Sequence, residues 1–92
     1  MLYLAYCESA NYCGYGQHFV IEAESASEAE VPLEAYADEY FYEQDSDQLE
    51  EDGIEDGPFY TVCSVEEFGP AHDCWKYYQD PSQSEFYTKV NV

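Results

Sequence analysis

The stretch that decides the fold is Ser27–Glu43, SEAEVPLEAYADEYFYE. Ala29, Leu33, Tyr36, Ala37, Tyr40 and Phe41 recur in it at steps of three and four. That period lays them along one stripe of an α-helix. Ser27 and Glu30 have the capping-box spacing, in which a hydroxyl and a carboxylate satisfy free backbone donors at a helix start. Pro32 interrupts the pattern. It either kinks the helix in its second turn or opens a restarted helix at its first position. The spacing predicts helix over 28–43.

Upstream, Gln17–Glu24 alternates. Phe19, Ile21 and Ala23 point one way, while His18, Val20, Glu22 and Glu24 point the other. Period two predicts a half-buried strand. Leu2–Cys7 is aromatic and apolar and also reads as a strand. Asn11–Gly16, with two glycines, supplies a turn, so the two strands form a hairpin with a long connection. Downstream, Gln44–Pro58 is polar and acidic with two Asp-Gly steps, and reads as a loop with at most a frayed turn. Phe59–Val65, rich in β-branched and aromatic residues, predicts a third strand. Glu66–Asp80 fits either a continued strand or a short helical turn around Trp75, Tyr77 and Tyr78. Pro81–Ser84 reads as a turn and Glu85–Val92 as a last strand. The expected fold is α+β: a small single domain over residues 1–92, with a mostly antiparallel sheet of about four strands and one main acidic helix.

Hydrophobic residues make up 46% of the chain and aromatics 18%, including eleven tyrosines. This composition can build a core and is not that of a disordered acidic tail. The charge is extreme: 21 Asp and Glu against two Lys and no Arg, a formal net charge of −19. Lys76 and Lys89 are the two bases, so the first 75 residues carry none. Few of the carboxylates can have an internal partner, and self-repulsion opposes the compact state. A chain that tolerates this cost is expected to use the charge.

Fifteen of the 21 acids fall within residues 22–56. On the expected helix, Glu30, Glu34 and Asp38 are four residues apart, and Glu39 and Glu43 repeat the step. Side chains at that spacing share a face, about 5–6 Å apart, and like charges there cost about 0.2–0.5 kcal/mol per pair. The expected partner-binding residues are Glu28, Glu30, Glu34, Asp38, Glu39, Tyr42, Glu43, Asp45, Asp47, Glu50, Glu51, Asp52, Glu55 and Asp56. Tyr36 and Tyr40 are expected to fill the core, and Tyr42 to be the exposed tyrosine beside the acids.

A basic protein groove is the expected partner. Direct binding to nucleic acid or to an anionic membrane is disfavoured by repulsion. In size, charge and aromatic content the chain is similar to small acidic DNA-mimic proteins, including phage inhibitors of restriction enzymes and of CRISPR effectors. The resemblance rests on those properties and on no residue-level motif. It implies an inhibitor that occupies the basic groove of a DNA- or RNA-binding protein, a phage or mobile-element origin, and a host defence nuclease or effector complex as target. The alternative is an acidic interaction or assembly module that does not compete with nucleic acid. Unpaired strand edges and many tyrosines also leave room for a homodimer.

Other chemistry has less support. Cys7, Cys13, His18, Cys63, His72 and Cys74 are the candidate zinc ligands of a small metal-binding domain; Cys7 and Cys13 are too far apart for a ligand knuckle, Cys13 and His18 have four residues between them and His72 and Cys74 one, so a site requires the fold to bring them together. Asp45 and Asp47 begin like a calcium loop and fail at the turn glycine. No phosphate-cradling loop, dinucleotide fingerprint or nucleophile–base pair is recognisable. The expectation is therefore no catalytic residue, no metal, no cofactor and no enzyme. No stretch approaches the length of a membrane span. Met1–Glu8 lacks the basic and apolar regions of a signal peptide. The expected location is the cytoplasm, that of the host cell for a phage protein, with the four cysteines as reduced thiols.

Overall fold

The computed structural model describes residues 1–90. The two expected strands near the start pair as a hairpin. Strand β1 (Leu2–Ser9) runs antiparallel to β2 (Gly16–Glu22), with Ala5 opposite Phe19 and Cys7 opposite Gln17. Gly16 is required at the turn into β2, because a Cβ there would lie 2.6 Å from the Cys7 carbonyl oxygen. Strand β3 (Tyr60–Glu67) pairs antiparallel with the other side of β1. The register shifts between Tyr6 and Cys7, which leaves Cys63 as the extra residue of a bulge. Strand β4 (Tyr87–Lys89) lies parallel to β2, so the sheet order is β3-β1-β2-β4. The sheet is mixed and mostly antiparallel. Of the expected last strand Glu85–Val92, only these three residues form a strand, and Asn91 and Val92 lie outside the described residues.

The helix differs from expectation at both ends. Helix α1 (Ala26–Glu30) is capped by Ser25, whose Oγ accepts the Glu28 amide at 3.2 Å. The Ser-x-x-Glu pattern is therefore used two residues earlier than the Ser27–Glu30 reading. Its reciprocal half is not made, since Glu28 Oε2 is buried without a hydrogen-bond partner among the described residues. Pro32 separates α1 from a restarted helix, α2 (Leu33–Asp52). Its carbonyl accepts the amides of Ala35 and Tyr36. Helix α2 continues nine residues past the expected end at 43, through a segment expected to be a loop. It stops at Gly53, whose left-handed φ of 71° lets the Ile54 amide reach back to the Leu49 carbonyl at 2.9 Å. That is the glycine stop in which the amide past the cap satisfies a last-turn carbonyl.

The sheet has a different cover on each face. On one side α1 and α2 bury Ala29, Leu33, Ala37, Phe41 and Leu49 against Tyr3, Ala5, Cys7, Phe19 and Ile21. Fully burying a large apolar side chain stabilises the fold by about 1.5–3 kcal/mol, so this layer carries most of the stability. Tyr36, assigned to the core from its spacing, is instead 55% exposed. The stripe on α2 follows steps of four, and Tyr36 lies off it. On the other side Leu4 and Val20 are covered by the segment after β3. Phe68 anchors that segment, with its amide on the Leu2 carbonyl at 2.8 Å and its ring about 5 Å from those of His72, Trp75 and Tyr78. The ambiguous stretch thus forms turns and a short 3-10 helix at Trp75–Tyr77. It carries the chain across the sheet and allows β4 to lie parallel to β2. Among the described residues, no helix is long and apolar enough to cross a membrane.

Candidate acidic interface

Helix α2 buries Leu33, Ala37, Phe41, Asp45 and Leu49. Its other positions face away from that stripe, and these hold most of the acids. Glu39, Glu43, Asp47 and Glu51 are all exposed and follow one another at steps of four. They form a single ridge with about 6 Å of axial rise per step. The ridge exists because the helix runs on to Asp52. The row expected at Glu30, Glu34 and Asp38 is not one continuous helix face, although the charges of all three reach Tyr60. Glu30 belongs to α1 across the Pro32 break, and the Asp38 carboxylate accepts the Phe59 amide at 2.7 Å.

Three of the fourteen expected contact residues act inside the molecule. Besides Asp38, Asp45 is only 7% exposed. It accepts a hydrogen bond from Ser9 Oγ at 2.7 Å and another from the Tyr15 hydroxyl. Asp52 accepts the Tyr12 hydroxyl at 2.6 Å. Together these bonds tie the β1–β2 connection to the second half of α2. Burial and the Asp52 carboxylate push the Tyr12 phenol up to about 12. Tyr15 is raised as well, by burial first and then by its bond to Asp45. The remaining acids of the set, Glu28, Glu30, Glu34, Glu50, Glu55 and Asp56, flank the ridge in sequence, and all but the half-buried Glu28 are exposed. Tyr42, 49% exposed, lines a shallow hollow of about 360 Å³ together with Asp47, Glu50 and Glu55. Its ring lies 5.1 Å from that of Phe59, which fixes it there.

No lysine offsets this surface among the described residues. Lys89 pairs with Glu22 at 3.1 Å, and Lys76 sits over the Tyr77 ring. The helix field reaches neighbouring groups. Tyr60 on β3 is raised by burial and then by the charges of Glu34 and Asp38. The last turn of α2 has three acids and no base, against the preference of a helix C-terminus for positive charge. This arrangement is poor for stability.

The remaining chemistry-bearing side chains are spread over both faces of the sheet. Cys7 is fully buried on the helix side of the sheet, where burial raises its thiol to about 12. Cys74 packs in the opposite layer, while Cys13 and Cys63 are exposed, and all four are free thiols. His72 accepts the Cys74 amide on Nδ1 at 3.0 Å, so its Nε2 donates to Glu66 at 2.8 Å. Burial lowers His18, with the charge of His72 adding to it. Among the described residues, no three His, Cys, Asp or Glu side chains are grouped closely enough to hold a metal. The stretch compared with a calcium loop is helical as far as Asp52, with Asp45 turned inward. Comparison with family models, with curated proteins and with solved structures finds no match to this chain.

Proposed function

We propose that this protein is an inhibitor that occupies the basic groove of a DNA- or RNA-binding protein, with the Glu39–Glu43–Asp47–Glu51 ridge standing in for phosphates. The observation that carries this reading is an exposed four-carboxylate ridge on a 20-residue helix with no Lys or Arg among the first 75 residues. The match to a strand is one of sign and order more than of density. The ridge places a charge about every 6 Å, against about 3.4 Å per phosphate along one DNA strand. Glu34, Glu50 and Glu55 add charge between and beside these positions. Such a field steers a cationic cleft and raises encounter rates by roughly 10–10³. Tyr42 adds an anchored aromatic contact of the kind enriched at interface centres. A phage anti-defence role, against a restriction enzyme or a CRISPR effector, is the most specific form of the proposal.

The test captures basic proteins from bacterial lysate on the immobilised chain, then measures displacement of labelled DNA or RNA from each. Displacement is expected, and it should weaken steeply with salt. A variant carrying Glu39→Gln, Glu43→Gln, Asp47→Asn and Glu51→Gln should lose about fourfold or more. That estimate takes roughly 0.2–1 kcal/mol for each exposed charge. A partner that binds and keeps its nucleic acid would mark an assembly module instead. A variant as potent as the parent chain would remove the ridge from the site.

A further inference from the structure

Between α2 and β4 lies a partly open groove of about 340 Å³, within the size range of ligand sites. Its aromatic walls come from Phe19, Tyr36, Tyr40, Phe86 and Tyr87. Phe19, Tyr40 and Phe86 meet edge to face, with centroids 5.4–6.0 Å apart. Tyr40 is held further by its hydroxyl, which donates to Gln17 Oε1 at 3.3 Å. Tyr36 stands at the mouth, 55% exposed. Three carboxylates, Glu39, Glu43 and Glu85, complete the lining, and no basic side chain contributes to it. The two lysines of the chain are engaged on Glu22 and on the Tyr77 ring.

Aromatic faces and carboxylates together attract a cation and repel an anion. A nucleobase could stack on the rings, but the phosphates attached to it would meet the rim acids. Of the protein cations, guanidinium fits this lining best. It is planar, more weakly hydrated than ammonium, stacks on aromatic faces and forms paired hydrogen bonds with carboxylates. We propose that the groove receives an arginine side chain of the basic partner, its guanidinium set against the aromatic rings and paired with the carboxylates of Glu39, Glu43 and Glu85. This rests on the preceding proposal only for the source of the arginine. It supplies what a row of charges lacks, a seat that distinguishes one kind of cation from another.

The experiment needs neither partner nor nucleic acid. The full chain is titrated at physiological salt with a blocked Gly-Arg-Gly peptide and with its lysine and citrulline counterparts, observing the ring protons of Tyr36, Tyr40, Phe86 and Tyr87 by NMR. Saturable shifts are expected with arginine, at least about threefold weaker binding with lysine, and none with neutral citrulline. Tyr36→Ala and Glu85→Gln, both outside the ridge, should each weaken arginine binding about two- to fivefold. Their far-ultraviolet circular dichroism serves as the folding control. Absence of saturable shifts with arginine, equal binding of citrulline, or indifference to both substitutions would overturn the inference. Arginine binding without nucleic-acid displacement by the whole protein would leave the seat standing and remove the mimicry.

Discussion

Asp45 shows how far composition can mislead about a single residue. It stands among exposed acids, yet its carboxylate is buried and takes two hydroxyl donors, from Ser9 and Tyr15. Replacing it with Ala leaves both donors facing a site without an acceptor, at a cost of about 1–3 kcal/mol. Asp45→Ala should therefore lower the unfolding free energy measured in urea by that amount. Asp47→Ala, two residues on and exposed, should change it by no more than about 0.5 kcal/mol. Equal effects at the two positions would show that the buried carboxylate is not structural. The number of acids was plain in the sequence. Which of them turn inward was not, because orientation depends on the phase of a helix whose second half is polar in sequence.

At the scale of elements, the hairpin and β3 were legible because period-two alternation and β-branched residues act locally. The extension of α2 was obscured by its polarity. One position in four is enough to hold it to the sheet, and one of those positions is Asp45, which breaks an apolar pattern. The legible trace was the spacing itself: Phe41, Asp45, Leu49 and the stop at Gly53 continue the row begun at Leu33 and Ala37. A proline at Gln48 separates helix from loop. Gln48→Pro should destabilise by about 3 kcal/mol or more, through a lost hydrogen bond and a clash one turn back. Circular dichroism should show the loss of helix, whereas a loop would accept the residue at little cost. The parallel pairing of β4 could not have been read from the sequence, since it is fixed by the docking of Phe68 and Trp75 on the far sheet face. The ridge depends on the same helix extension, so it was visible only in part, as Glu39 and Glu43.

For the whole molecule the governing quantity is the net charge of −19, held within extents of 42 × 28 × 20 Å. At about 0.01 M salt the screening length, about 30 Å, is comparable to the molecule, and at about 0.15 M it falls to about 8 Å. Adding salt over that range should raise the melting temperature, by about 4–8 °C for each kcal/mol of repulsion relieved. Calorimetry or thermal circular dichroism would measure it. A melting temperature that stayed flat or fell would mean that repulsion costs the fold little. The opposite salt dependence expected of partner binding gives the two effects separate signatures.

Strand β3 forms one border of the sheet, and among the described residues nothing pairs with its outer side. Such a border of open amides and carbonyls commonly recruits further chains and ends in aggregation. Here the bulge at Cys63 distorts the strand, and the exposed Glu66 and Glu67 place charge at its end. Every copy also carries the same large negative field. The excess that strains the fold can thereby keep concentrated copies dispersed, giving colloidal protection without a cap on the exposed edge.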